Sequence, residues 1–463
     1  MQFIENRLFD EISPGDSAEL SHTLSVEDIS AYAAMIGEVN PAHIDEAFAQ
    51  SVSFQNSAAQ SLWASGLIAT LLATELPGPG TTCRSQALRF GSLPAPGDTV
   101  TVRIAVTAKH PEDNLLTLAC TCRDQSGALV VEGEIEAIAP AQKIRRPRAV
   151  PANTPLHQPG AQYRNLISAT HALAPLRTAV AHPCDALSLG GALEAASQGL
   201  IVPILVGPRA KIDAAARETG RSLDGVEIVD APHSHAAAQL AVDLVRSGKA
   251  DALMKGKLHT DELMAPIVDR EKGLRTERRM SHVFMLDVPH YPKPLFITDA
   301  AINIFPDLET KRDIVQNAIE LAEALGIAKP KVAILSAVET VYPKIPSTLD
   351  AAALCKMWDR GQIVGGMLDG PLAFDNAVSK EAAEAKGIIS DVAGDADILV
   401  VPDIEAGNMA AKQLIHLAGA ESAGIVLGAR APIILTSRAD GIISRMASAA
   451  MAQLLFHHRP KSP

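Results

Sequence analysis

Two rhythms of apolar and polar positions run along the chain. Near the start, Ser25 followed by Asp28 reads as a helix N-terminus, and Ile29, Tyr32, Ala33 and Ile36 then recur on one helical face. A second apolar helical stretch, about Ser61 to Leu76, stops at Leu76-Pro77-Gly78-Pro79-Gly80, a run of turn-forming residues. The period then becomes two. Val100, Val102, Ile104 and Val106 alternate with Thr101, Arg103 and Thr107, and Leu116 to Cys122 and Leu129 to Ile138 repeat the strand signal on either side of a Ser126-Gly127 turn. These elements predict an α+β layer pair, one long helix against an antiparallel sheet.

Past residue 160 the rhythm changes. Short apolar runs (Thr178 to Ala181, Pro203 to Val206, Val332 to Leu335, Ile398 to Val401, Pro432 to Leu435) are separated by Ala-rich helical stretches, which predicts a parallel sheet covered by helices. A segment of this length suggests two α/β lobes with a cleft between them. Between the two rhythms, Pro147, Pro151 and Pro155 interrupt a stretch that carries Lys143, Arg145, Arg146 and Arg148, and this reads as a solvated connector. The chain is thus expected to divide into 1–139, a linker at 140–160, and 161–463.

Composition narrows the function. Of 463 residues, 53 are Asp or Glu against 41 Lys or Arg, a net charge of −12, which argues against a nucleic-acid partner. The first residues show no apolar export core, and runs such as Leu200 to Val206 fall short of the ~18 residues that span a bilayer. Five scattered cysteines suit reduced thiols. The expectation is a cytoplasmic protein with no membrane partner. Cys120 and Cys122 share a strand face without further ligands nearby, so no metal site is expected.

Two regions carry candidate chemistry. In Gly37-Glu38-Val39-Asn40-Pro41-Ala42-His43-Ile44-Asp45, a carboxylate precedes a histidine by five residues across an Asn-Pro turn. Glu38 and His43 in one pocket would suit addition of water to a conjugated double bond, the carboxylate deprotonating water and the imidazole serving the α-carbon. A capping or packing histidine is the plainer alternative. In the larger part, polar residues gather at the ends of the expected strands: Lys255, Lys257, His259 and Thr260 after one run, Arg275 with Arg278 and Arg279, the Asp403 to Asn408 loop, and Thr436-Ser437-Arg438-Ala439-Asp440 after another. Open parallel sheets place ligands there, and helix N-termini favour anions. The phosphate-cradling Gly-x4-Gly-Lys-Ser/Thr, Gly-x-Gly-x-x-Gly after a strand, HExxH and Gly-x-Ser-x-Gly are all missing, so nucleotide hydrolase, zinc protease and serine hydrolase find no support.

Together these segments resemble known families. Tyr32-Ala33 through Asp45, with Phe48-Ala49 and Phe54, resemble the hydratase signature of MaoC-like hot-dog domains, which act on enoyl-CoA thioesters. In that family the position of Glu38 is usually Asp, and Ala59-Gln60-Ser61-Leu62 stands where Ala-His-Gly-Met is usual, so the resemblance implies acyl-CoA binding or dimerisation with weak or absent hydratase activity. Ala181 to Cys184, Pro203 to Pro208, Ala250 to Gly256, Ile297 to Asn303, Lys331 to Ser336, Leu368 to Leu372, Val401 to Asn408 and Ser437-Arg438 resemble, in order, the phosphate acetyl/butyryltransferases. The whole chain resembles the bifunctional MaoC-like hydratase/phosphate acetyltransferase fusions.

That resemblance implies a hot-dog domain followed by a two-lobed, isocitrate dehydrogenase-like α/β domain. It implies reversible acyl transfer, acetyl first and butyryl second, between CoA and inorganic phosphate through a ternary complex, with both as substrates and no cofactor. Arg438 would clamp phosphate and Ser437 would hydrogen-bond at the reacting centre. The family's proposed base, an Asp six or seven residues after the Ser, is replaced by Ile443 and Ser444, which leaves Asp440 as base or helix cap. Lys255, Lys257, His259, Thr260 and Arg275 are candidates for phosphate or the CoA pyrophosphate, and Asn303 and Asn408 for the pocket. A homodimer or larger homo-oligomer is expected. A non-catalytic acyl-CoA-sensing protein is the alternative.

Overall fold

The computed structural model describes residues 3–38, 40, 62–148, 161–436 and 440–458. Its contacts divide the chain into two units, Met1–Leu156 and His157–Pro463.

The first unit contains β1 (Phe3–Glu5), β2 (Ser17–Thr23), β3 (Thr82–Phe90), β4 (Thr99–His110), β5 (Leu115–Asp124), β6 (Leu129–Ile138) and β7 (Arg145–Pro147). Five of these pair antiparallel in the order β2-β4-β5-β6-β3. The period-two pattern does what it should: Val100, Val102 and Ile104 are wholly buried, and their face packs against Ile68, Leu71 and Leu72 of the Trp63–Thr74 helix. This is the hot-dog arrangement, a sheet curled about one long helix. The Val26–Ile36 helix begins with a capping box, in which Asp28 N donates to Ser25 Oγ at 3.0 Å and Ser25 N donates to the Asp28 carboxylate at 2.9 Å. Ile36 departs from the expected buried face. It is the last helical residue before left-handed Gly37 and is exposed.

The basic stretch after Pro140 is not a solvated connector along its whole length. Arg145–Pro147 pairs antiparallel with Phe3–Glu5, and Lys143 bridges Glu11 at 2.7 Å and Glu5 at 3.6 Å. Its cations neutralise the acidic N-terminal segment, and a two-stranded ribbon is all edge, where proline is tolerated. Residues 149–160, the rest of the expected linker, lie outside the described residues.

The second unit contains β8 (Leu176–Ala181), β9 (Ile201–Gly207), β10 (Glu227–Asp230), β11 (Ala252–Lys255), β12 (Ser281–Asp287), β13 (Leu295–Thr298), β14 (Lys331–Leu335), β15 (Met367–Leu372), β16 (Ile398–Val400), β17 (Glu421–Leu427) and β18 (Ile433–Ile434). They form one sheet in the order β10-β9-β8-β11-β18-β17-β12-β13-β16-β14-β15. The expected parallel sheet is in fact mixed. β12 runs antiparallel to both β13 and β17, and β17 antiparallel to β18. The turn from β17 to β18 is too short for the crossover that parallel strands need.

The lobes arise from how helices cover this sheet. On one face, Val180, Met254, Val283, Phe296, Val332 and Ile425 belong to a single buried cluster that runs the sheet's width. On the other, Leu253, Ile433 and Val426 pack with the Ser234–Arg246 helix, while Ile297, Ala333 and Leu399 pack with the Ile404–Leu417 helix as a separate cluster. A cleft opens where the second face changes from one cluster to the other.

Candidate active site in the cleft

The cleft encloses about 470 Å³ and is lined by Lys255, His259, Thr260, Asp261, Phe284, Ala301, Asn408, Lys412, Leu435 and Thr436. An adjoining space of about 660 Å³ shares Thr260, Ala301 and Asn408 and adds Ile404, Glu405 and Met409. Register explains the floor. Phe284 stands opposite Gly424, and Leu435 N donates to Gly424 O at 3.2 Å. Lys255 lies one step beyond the Met254–Ile434 pair. Lys255, Leu435 and Phe284 therefore project on one face from neighbouring strands, with Gly424 leaving a gap between the last two.

Lys255 stands at a strand end, as its place after the Ala250 to Leu253 run suggested. It is the last residue of β11 and is buried. The turn after it is pinned to the end of β8: Gly256 N donates to Ala181 O at 2.9 Å, Lys257 N to His182 O at 2.8 Å, and His182 Nδ1 lies 2.7 Å from Lys257 O. A Cβ at Gly256 would come within 2.5 Å of Ala181 O, so only glycine lets the two backbones approach this closely. His182 itself has φ +56, an uncommon conformation for a non-glycine residue. Lys257 is exposed and points away to half-buried Asp185 at 3.8 Å, whereas His259 and Thr260 line the cleft at the start of the Thr260–Ile267 helix.

Thr436 follows β18 and is buried. Its Oγ1 accepts from Arg445 Nη1 at 3.0 Å. Arg445 is itself buried, which pulls its pKa down, while the charges of Asp440 and Asp185 push it back up. Asp185 caps the Ala186–Ser197 helix by accepting from Ser188 N at 2.8 Å. Burial pushes its carboxyl up, but the Ser188 hydrogen bonds and the charges of Lys257 and Arg445 outweigh this and hold it below the ordinary value. The segment entering Ser437 is thus held by a buried arginine with two carboxylates in its field. Ser437 and Arg438 lie outside the described residues. Asp440 is half-buried and acts electrostatically on Arg445. Ser444, where the family's carboxylate was expected, hydrogen-bonds to the Ser422 carbonyl.

The remaining candidates divide. Asn408 lines the cleft, its amide donating to Ala300 O at 3.2 Å. The Asn303 amide is engaged elsewhere, with the Asp299 carboxylate at 2.6 Å and Met280 O at 2.8 Å, so it shapes the 299–303 loop from behind. Arg275 is exposed, bridges Ala429 through its backbone, and is not among the lining residues. In the first unit, Glu38 Oε1 accepts from Asn40 N at 2.8 Å, and His43 lies outside the described residues. Burial pushes the thiols of Cys120, Cys122 and Cys184 up to about 11 and that of Cys355 to about 12, so none of these four is a thiolate at neutral pH.

Lys412, Phe284, Arg445 and Asp185 escaped the sequence reading. Lys412 was within reach, since it stands four residues after Asn408 and so shares its helical face. Arg445 stands among small and apolar residues in the Ile442–His458 helix, a lone cation in a stretch that reads as core.

Comparison with known proteins bears on both units. Residues 233–453 match the family model "Phosphate acetyl/butaryl transferase", and residues 12–121 the model "MaoC like domain". A phosphate acetyltransferase of Rhizobium meliloti is 64% identical over 64% of this chain and 94% of its own length. A phosphate butyryltransferase of Clostridium acetobutylicum is 45% identical over 60% of this chain and 93% of its own. The crystal structure of a branched-chain phosphotransacylase from Enterococcus faecalis is 32% identical, covering 61% of this chain and 100% of that one, with a TM-score of 0.54.

Proposed function

Because the chain belongs to the phosphate acetyl/butyryltransferase family, we propose that its second unit moves an acetyl group reversibly between CoA and inorganic phosphate. The observation that carries this reading is the meeting of Lys255, Thr260 and Thr436, from three separate elements, in one cleft whose wall leads directly into Ser437-Arg438. In the direction of acetyl-CoA synthesis, the CoA sulfur attacks the carbonyl carbon of acetyl phosphate. The C–S bond forms, the C–O bond to phosphorus breaks, and phosphate leaves with the bonding pair. A thiol of ordinary pKa, ~8.5, needs a base or cationic surroundings to ionise at neutral pH. Lys255 and Lys412 supply positive charge in the cleft, and Asp440 is the nearest carboxylate in sequence to Ser437. Arg438 clamps the leaving phosphate through charge-assisted hydrogen bonds of about 1.5–3 kcal/mol each. CoA and phosphate are substrates, and the reaction calls for no cofactor.

The first unit, by this reading, binds acyl-CoA and pairs with a second copy, with little or no hydratase activity. The outer strand β3 is exposed along nearly its whole length and leaves one edge open, which supports such pairing. We place the protein in the cytoplasm. Among the described residues no helix is long and apolar enough to cross a membrane.

The test is phosphate-dependent release of free thiol from acetyl-CoA by the full chain and by Arg438→Ala. Release that needs phosphate and disappears in the variant supports the reading. Release that Arg438→Ala leaves unchanged removes the clamp, and no release by the wild type favours an acyl-CoA-sensing module.

A further inference from the structure

The floor of the cleft holds a feature that the transfer chemistry does not use. His282 lies on β12 two residues before Phe284, so both side chains project toward the cleft face. It is wholly buried, and among the described residues neither ring nitrogen has a hydrogen-bond partner. The Leu435 carbonyl lies nearby but outside hydrogen-bond geometry. Burial holds the imidazole below its ordinary pKa, so the ring is neutral near pH 7. A neutral ring packed in this way acts by its bulk.

Where that bulk sits is set by Gly424. A Cβ there would come within 2.5 Å of Leu435 O and 2.9 Å of His282 Nε2, so the ring, together with that carbonyl, occupies the space that a side chain on β17 would have taken. From this position it packs edge-on against Phe284, with ring centroids 4.4 Å apart. Phe284, in turn, lines the cleft, and with Leu435 and Ala301 supplies its apolar wall. The other described residues that line this space are polar or charged, with Ile404 and Met409 standing in the adjoining one, so an acyl chain in this space lies against the Phe284 wall.

We propose that Phe284 is the acyl-length gate of the cleft and that His282 is its positioning residue, filling the Gly424 gap so that the Phe284 ring cannot sink and admit a longer chain. This rests on the acyl-transfer reading above. His282 acts through Phe284 and touches neither CoA nor phosphate.

The experiment measures phosphate-dependent thiol release from acetyl-, propionyl- and butyryl-CoA by the full chain, and takes the butyryl-to-acetyl ratio of kcat/KM. This ratio does not depend on how much of a preparation is folded. One methylene in an apolar pocket is worth about tenfold or more in such discrimination. Phe284→Ala and the milder Phe284→Leu should raise the ratio, the former about tenfold or more. His282→Ala should raise it by a smaller factor, and His282→Leu, of similar volume, should bring it back toward wild type. A ratio within about twofold of wild type in both Phe284 variants would overturn the gate. A raised ratio in His282→Leu equal to that in His282→Ala would overturn the positioning role, since bulk would then not be what matters. A wild type that releases no thiol from any of the three sinks the transfer reading itself, and the gate with it.

Discussion

Arg445 reaches from one turn inside its helix to Thr436, Nη1 to Oγ1 at 3.0 Å, and so spans the two sides of the Ser437-Arg438 segment. Removing one partner of a buried, charge-compensated group costs about 3–5 kcal/mol, because the carboxylates that faced it lose their compensation. Arg445→Ala is therefore expected to melt about 10 °C lower and to lose acyl transfer at temperatures where it is still folded. Arg445→Lys keeps the charge but loses the planar fork, and should melt between the two. Thermal unfolding followed by circular dichroism checks both, and an alanine variant that melts with the wild type would rule out the brace.

Lys255 is a buried cation in the cleft wall. If it binds phosphate or the CoA pyrophosphate, Lys255→Met removes a charge-assisted hydrogen bond worth about 1.5–3 kcal/mol, which is roughly a 10- to 150-fold rise in KM for the anion concerned. Separate titrations of phosphate and of acetyl-CoA assign it to one or the other. Unchanged KM values for both would confine Lys255 to a structural role.

Asp185 predicts a pH dependence with a definite sign. Its folded pKa lies below the ordinary carboxylate value, so its contribution is fully present above the unfolded pKa and is lost as pH falls through the lower folded one. Asp185→Asn should therefore be less stable than wild type at pH 7, with the difference closing on the acid side of the ordinary aspartate pKa. Parallel melting curves from pH 7 to pH 3 measure it, and a gap that widens in acid would reverse the sign.

The hot-dog unit has its own test. Crotonyl-CoA hydration, followed by loss of the enoyl absorbance, should be slow or undetectable in the wild type and absent from His43→Ala. The Glu38→Asp variant, which restores the shorter carboxylate usual in the family, should raise any hydration present, because a misplacement near 1 Å can cost about a hundredfold in rate. Hydration that survives His43→Ala would remove His43 from the chemistry.

Much of this architecture was legible in the order of residues, and the reasons differ by element. The alternation in β4 and the Ser25–Asp28 capping box are local signals, complete within a few residues, and both stand where the pattern put them. β12 and β17 escaped because Ser281-His282-Val283-Phe284 and Glu421-Ser422-Ala423-Gly424 mix polar and small residues into the run, and what makes them central strands is their neighbours. The cleft divides the same way. Lys255 and Thr260 could be picked out because each stands close to an apolar run, whereas Phe284 and Asp185 enter the site through residues far away in sequence, and Arg445 through a fold-back onto Thr436 as well as the distant Asp185, none of which spacing encodes.

The sheet of the second unit also carries a consequence for the order in which the molecule is made. β11 lies between β8 and β18, and its Leu253 pairs with Ile433, so the ribosome has already released β12 to β17 before β11 acquires its second neighbour. Until then β11 is an open edge, with unpaired peptide groups that invite the wrong strand. A message truncated just before Ile433 would leave that edge open for good. The Ile442–His458 helix, which emerges later still, contributes Ala447, Ala450 and Met451 to the core that β8 and β11 share with the far half of the sheet. In time, then, the middle of the sheet is the last part to close.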